Sequence, residues 1–231
     1  MSIGHKKEKI MLNISKGDMY TFVTHTWNTV KGKCYHDCSY CYMKRFPLNE
    51  IRFDEKELKT DLGKSNFIFI GSSCDMWADS VNKDWILRTL DHCKKYDKNT
   101  YLFQSKNPKR FLDFIKHFPN SVVLGTTIET NRRYKQMGNT PDFLDRAFEL
   151  NKFKNLGIET MVTIEPIMDF DIDALVNAIT LCNPSWINIG ADSKGSNLPE
   201  PDSLKIRKLI NVLDKHFTLK LKKNLKRLMG E

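Results

Sequence analysis

The sequence predicts an α/β fold with a parallel sheet, on three observations. Short apolar runs recur along the chain, each ends in a cluster of polar or glycine residues, and most are followed by a segment with helical periodicity. Strands that alternate with helices build parallel βαβ units with right-handed crossovers. An open doubly wound sheet and a barrel both satisfy that alternation, so periodicity leaves the choice open.

The elements follow in order. Residues 1–15 read as a loosely packed N-terminal arm. The stretch 19–24 alternates apolar and β-branched residues and reads as the first strand; its end runs through His25, Thr26, Trp27 and Asn28 into a loop with Gly32. The run 66–70 is continuously apolar, as a strand buried on both faces should be, and precedes Gly71, Ser72, Ser73, Cys74 and Asp75. Trp85, Ile86, Leu90 and Cys93 then recur at helical spacing. The run 101–103 ends in Gln104, Ser105 and Lys106, after which Asn107 and Pro108 supply an N-cap and a first-turn proline for a helix carrying Phe111, Phe114, Ile115 and Phe118.

The next strand, 121–128, closes on Glu129, Thr130 and Asn131, and Thr140 with Pro141 starts a helix carrying Leu144, Ala147 and Phe148. Gly157 separates it from the strand 160–164, which ends at Glu165 and Pro166. Asp171 caps a helix with Ile172, Leu175, Ile179 and Cys182 facing inward. The last run, 186–189, leads into Gly190, Ala191, Asp192 and Ser193, and Pro201 with Asp202 opens a helix with Ile206, Leu209, Ile210 and Leu213. The count is six strands, each followed by a helix.

Composition limits the function classes. With 231 residues and 40% hydrophobic content the chain builds one core, read as a single domain over 16–216 between the arm and a basic C-terminal tail, 217–231. No apolar run reaches membrane-spanning length and the N-terminus lacks the apolar stretch of a signal peptide, so a cytoplasmic protein without membrane contact is expected. The 37 Lys and Arg outnumber the 28 Asp and Glu, giving +9, which favours anionic partners such as nucleic acid or nucleotides. Part of the excess lies at the ends, in Lys6, Lys7, Lys9, Lys215, Lys220, Lys222, Lys223, Lys226 and Arg227, where a solvated helix face is the plainer reading.

Three of six cysteines crowd into one stretch: Cys34, Cys38 and Cys41, a C-x₃-C-x₂-C run with Tyr40 before the last. Cys74, Cys93 and Cys182 stand apart. That distribution favours a metal in a reducing compartment over disulfides, and argues against a second cluster. An iron–sulfur cube takes four protein ligands, so three thiolates without a fourth neighbour leave one iron open for a small molecule. A closed zinc site, with His25 or His36 as fourth ligand, and three unrelated thiols are the alternatives.

The motif resembles the cluster-binding motif of the radical S-adenosylmethionine (SAM) superfamily. The resemblance implies a partial (β/α)₆ TIM-like barrel spanning roughly 18–215, with the cluster loop after the first strand. It implies a [4Fe-4S] cluster on Cys34, Cys38 and Cys41, SAM on the open iron, and an electron donor such as flavodoxin or ferredoxin. The stretches 26–28, 71–75, 104–108, 125–129 and 164–166, in that order, look like a phage-associated branch of the superfamily, distantly similar to spore photoproduct lyase.

In such barrels the site lies at the C-terminal strand ends. Gly71, Ser72, Ser73 and Asp75 stand where the superfamily has a Gly-Gly-Glu-like loop that contacts the methionine amine; the chain has Ser-Ser in place of Gly-Glu. Glu129 and Glu165 are candidates for ribose or substrate contacts, or for plain ion pairs with Arg132, Arg133 or another base. Tyr40 can pack on adenine and Asn188, with the backbone at Gly190, can read its edge. Cys74 is a candidate hydrogen-atom donor, as cysteine is in some of these enzymes, or a small buried hydrophobe.

The expected function is radical SAM chemistry on a nucleic acid or nucleotide, in modification or repair. A glycyl-radical activase, a peptide modifier and a zinc-dependent nucleic-acid-binding module are the rivals.

Overall fold

The computed structural model describes residues 10–230; Lys6, Lys7 and Lys9 lie outside them. Seven parallel strands form the sheet: β1 (His25–Trp27), β2 (Phe67–Ile70), β3 (Thr100–Ser105), β4 (Val122–Thr127), β5 (Glu159–Ile164), β6 (Trp186–Ile189) and β7 (Thr218–Leu221). Their order across the sheet follows their order along the chain, with Asn13–Ile14 added antiparallel on the outer edge of β1. A doubly wound sheet reverses direction at a switch point. One-way winding is that of a barrel, and because β7 and β1 do not pair, the barrel is partial.

Both faces of the strands are apolar because both are covered. Tyr101, Phe103, Leu124, Val162, Ile164, Ile187 and Ile189 face the helices in the main core, whereas Leu102, Val123, Met161 and Trp186 fill the barrel interior. The helices are α1 (Lys83–Lys94), α2 (Phe143–Asn155), α3 (Ile172–Cys182), α4 (Ser203–Leu213) and the short α5 (Lys226–Met229). Asn82, Asp142 and Asp202 cap α1, α2 and α4, each accepting a bond from a first-turn amide.

The structure differs from the expectation at six places, each with a local cause. The stretch 19–24 is not a strand; β1 is His25–Trp27, read from the sequence as the loop beyond it. Its apolar residues instead plug the open side of the barrel. Phe22 meets Phe67 of β2 edge-on at 5.1 Å and Trp186 of β6 at 5.4 Å, and Lys220 of β7 sits over its ring at 4.1 Å. Side chains span the gap where no strand closes it.

The segment after β1 holds no α-helix, only 3₁₀ turns at Tyr42–Arg45 and Glu55–Lys59 and the two-residue strands Val30–Lys31, Arg52–Phe53 and Thr60–Asp61, since it is given over to the cysteine loop. After β3 the helix at Pro108–His117 is also 3₁₀: Pro108, Phe111 and Phe114, every third residue, are buried together, and Phe111 and Phe114 pack on Trp77. Asn107 does not cap it, because its amide donates to Asp79 and to the Trp77 carbonyl. On α2, Leu144 and Phe148 are exposed and the buried face is Arg146, Ala147, Leu150 and Phe153, a rotation set by the ion pair of Arg146 with Glu129. Asp171 stands at the N-cap of α3, but its carboxylate pairs with Arg132.

At the C-terminus, Thr218–Leu221 of the basic tail is the edge strand β7; Lys220 within it lies over the rings of Phe22 and Trp186, and Lys222 just past it over Tyr20. Charge hid an alternating strand.

If the plug closes the barrel, Phe22→Ala costs about 1–3 kcal/mol, less than a fully buried phenylalanine would. Urea unfolding reads the loss; a change within 0.5 kcal/mol, roughly the range of an ordinary surface substitution, contradicts it.

Candidate functional site

A cavity of about 900 Å³ opens at the C-terminal ends of the strands. Its lining includes Cys34, Cys38 and Cys41, the loop 71–75 after β2, Gln104 to Lys106 after β3, Glu165 after β5 and Ala191 to Ser193 after β6. Five segments distant in sequence thus meet at one mouth, as the βα loops of a parallel barrel require.

The cysteine loop is held by its neighbours. Gly32 takes a positive φ of 110° and a Cβ there would lie 2.5 Å from the Glu50 carbonyl oxygen, so only glycine admits the chain crossing. His36 is buried, and its Nε2 lies 2.9 Å from Asp75 Oδ2. The Asp75 carboxylate also accepts bonds from Ser105 Oγ and the Lys106 amide, at 2.9 Å each, and from the Trp77 amide at 3.0 Å. Burial pushes Asp75 up, but His36 and these amides hold it below the usual carboxylate range. Asp75 is therefore committed to the protein and not free to take an ammonium group.

Gly71 is left-handed at φ 78°, and its amide donates to the Trp27 carbonyl at 3.0 Å. Ser72 Oγ and the Ser73 amide both bond Asn28 Oδ1, which ties this loop to the end of β1. Cys74 is buried and lines the cavity together with Cys34. The neighbouring Cys74 thiol brings Cys34 down to about 6, and Cys74 is raised in turn. Burial raises Cys41.

Tyr40 leads to a second buried cluster. Its hydroxyl donates to Glu129, and Lys106 Nζ bonds both that hydroxyl, at 2.7 Å, and the Glu129 carboxylate, while lying 4.6 Å over the Tyr40 ring. Arg146, fully buried, pairs with the other Glu129 oxygen at 2.9 Å. Burial pushes Glu129 up, and the Lys106 and Arg146 charges outweigh it, holding the carboxyl far below its ordinary 4.5. Glu129 is thus enclosed in the ion-pair role, and the bases it pairs with are Lys106 and Arg146.

Glu165 does reach the cavity, paired with Lys222 at 2.8 Å and Asn224 at 3.0 Å. A Cβ on Gly190 would sit 2.8 Å from its carboxylate, so the glycine makes the room Glu165 occupies. Asn188 is buried below the mouth, its amide on Met161 Sδ at 3.4 Å, and is not part of the lining.

Sequence reasoning did not single out Lys106, Arg146, His36 as an Asp75 partner, Tyr20 or Lys222. The available signals were weak: an arginine within the apolar face of α2, and lysines alternating with leucines in β7.

Cys34, Cys38 and Cys41 line one cavity, a three-thiol donor set that an iron–sulfur cube would take. Of the histidines considered for zinc, His25 lies against Thr24 Oγ1, and His36 holds Asp75 through Nε2 while its buried Nδ1 has no partner among the described residues.

No family model and no curated protein matches the chain. Solved structures do. A spore photoproduct lyase variant is 10% identical, with a TM-score of 0.64, over 90% of this chain and 80% of that one. The lyase complexed with dinucleoside spore photoproduct is 11% identical, with a TM-score of 0.59, over 88% and 64%. Streptococcus suis SuiB bound to S-adenosylmethionine is 9% identical, with a TM-score of 0.59, over 85% and 49%. At such identities the likeness is one of fold, the partial barrel of radical SAM enzymes.

Removing the Glu129 charge leaves two buried cations facing each other. Glu129→Gln should cost about 3–5 kcal/mol in chemical unfolding. The sign with pH follows from the depressed carboxyl: its stabilisation is complete above the unfolded value of 4.5 and is lost as pH falls below it. The variant should accordingly show a shallower acid limb between pH 5 and 3, roughly the window set by the unfolded value. Parallel acid limbs contradict the pairing.

Proposed function

We propose that this chain is a radical SAM enzyme that acts on a nucleic acid or nucleotide. The observation that carries the reading is the grouping of Cys34, Cys38 and Cys41 on one wall of the mouth cavity in a one-way parallel barrel. Those three thiolates would hold a [4Fe-4S] cluster, with SAM on its remaining corner. When bound, the pair supplies a 5′-deoxyadenosyl radical, formed with methionine by one-electron cleavage of SAM, that takes a hydrogen atom from the substrate. The electron comes from a donor such as flavodoxin or ferredoxin.

The chain's part is to bind, orient and exclude solvent. The loop at Gly71, Ser72 and Ser73 offers backbone and hydroxyl groups to the ammonium of the methionine moiety, beside the cysteine loop to which Asp75 ties it. Tyr40 lines the cavity beside Cys41, and the Glu165 and Lys222 pair lines it too, where ribose hydroxyls can be bonded. Tyr20, from the plug, walls the cavity from below with its hydroxyl on Gln104 at 2.9 Å.

The substrate class rests on charge. Lys16, Lys33 and Lys194 line the cavity and make no ion pair among the described residues, on a chain of +9. Phosphates would satisfy them, and the structurally similar lyase is complexed with a dinucleoside.

The chain reconstituted with iron and sulfide without oxygen, then given SAM and a strong reductant, should release methionine and 5′-deoxyadenosine. Cys34→Ala, Cys38→Ala and Cys41→Ala should each abolish the release; turnover surviving any of them refutes the ligand set. For the substrate, binding of single-stranded DNA should weaken with salt, and replacing Lys16, Lys33 and Lys194 together by alanine should reduce the log–log slope by about 2. An unchanged slope removes these lysines from the substrate path.

A further inference from the structure

We infer that the turn after β4, residues 136–139, is a clasp that sets the cysteine loop into its cluster-binding shape before iron arrives, with Gly138 as the positioning residue. That the loop binds a cluster rests on the radical SAM reading; the clasp itself stands on contact distances.

The loop from Cys34 to Cys41 does little to shape itself. Its internal amide bonds are long, Asp37 to the Cys34 carbonyl at 3.3 Å and Cys41 to the Cys38 carbonyl at 3.2 Å. Asp37 is left-handed at φ 49°, a conformation that persists where the surroundings impose it. Asp75 grips one side of the loop through His36. The turn after β4 grips the other. The Ser39 amide donates to the Gln136 carbonyl at 2.8 Å, the Asn139 amide to the His36 carbonyl at 2.7 Å, and Asn139 Nδ2 to the Tyr35 carbonyl at 3.1 Å. Between them, buried Met137 packs with Met168, Cys38 and Tyr40 in a small core separate from the main one. Cys38 Sγ lies 3.4 Å from the Met137 carbonyl oxygen, and of these contacts this is the one an iron-bound thiolate would give up.

Gly138 is what lets the two segments lie so close. Its φ of 61° and ψ of −136° mirror extended backbone, a region open to glycine. A Cβ there would overlap the His36 carbonyl oxygen and stand 2.9 Å from both carbonyl atoms of Asp37. Those are backbone atoms, so no rotamer change relieves the overlap and the segments have to part. The turn is braced against yielding alone. Arg133 donates to the carbonyls of Gly138 and Thr140 and to Thr140 Oγ1, and Arg132 ties the same stretch to Asp169 and Asp171. Residues 136–139 do not line the cavity, so they act on the cluster through the loop they hold. Their bonds join protein to protein and need no iron. A ligand loop ordered beforehand loses less conformational entropy when the cluster binds.

The experiment is amide hydrogen exchange on the metal-free chain, resolved to single residues, with cluster loss to a ferrous chelator followed on the reconstituted chain, in G138A and G157A. Gly157 is the control: at φ 78° it is equally left-handed, but a Cβ there meets nothing within 4 Å. In the unaltered metal-free chain the Ser39 and Asn139 amides should exchange roughly tenfold or more below the unstructured rate, as one intact hydrogen bond gives. G138A should bring both toward that rate, leave the amides of β2 to β5 unchanged and speed cluster loss. G157A should leave both amides and the cluster as they are, whatever it costs in stability. Unprotected Ser39 and Asn139 amides in the unaltered chain overturn the inference, as do unchanged amides in G138A. Freed amides with an unchanged rate of cluster loss overturn it too, because the clasp would then not position the ligands. G157A matching G138A would reduce the effect to backbone strain and overturn it as well. Should G138A fail to fold, N139A, which removes the Tyr35 bond without a clash, should speed exchange at Ser39 and cluster loss in the same direction; no change in either overturns the inference. A chain that takes up no cluster overturns the proposed function, while the amide rates still decide the clasp.

Discussion

The Asp75 carboxylate is the contact on which the site depends. It gathers His36 from the loop after β1, Trp77 from its own loop, and Ser105 and the Lys106 amide from the end of β3. A buried carboxylate with several donors is costly to displace, because any one lost partner leaves charge desolvated. Through it the cysteine loop, which has no regular structure longer than a 3₁₀ turn, takes its position from the rigid strands behind it.

The Glu129 cluster acts at the next layer. Two cations and one carboxylate leave a net positive charge beside Tyr40, where the cysteine loop passes. Buried ion pairs seldom add net stability over a well-packed apolar core. Their presence here is better explained by position: Lys106 reaches the mouth only because Glu129 holds it, and Glu129 stays ionised only because Arg146 stands behind it. A positively biased wall suits thiolates and an anionic ligand group.

Much of the barrel was legible because its strands are buried on both faces. The runs ending in Gly71, Lys106, Glu129, Glu165 and Gly190 needed no partner to be recognised, since continuous apolar stretches of that length have few other uses. The first strand was misplaced because 19–24 has the alternation of a strand but spends it on filling a gap between strand edges. The last was missed because Lys220 within it and Lys222 just past it are charged, and their partners, the rings of Phe22 and Trp186 and the Glu165 carboxylate, come from far along the chain. At the site, the three cysteines were plain from spacing. The enclosure of Glu129 and the depth of Asn188 were not, since each depends on which strand lies beside which.

The account's central claim is that three thiolates hold an iron–sulfur cube with one corner left to SAM. Mössbauer spectroscopy of the ⁵⁷Fe-reconstituted chain tests this most directly. Adding SAM should split one iron from the rest, with a larger isomer shift for the site that gains nitrogen and oxygen ligands. Spectra that are the same before and after SAM, from irons that all keep sulfur coordination, would contradict it.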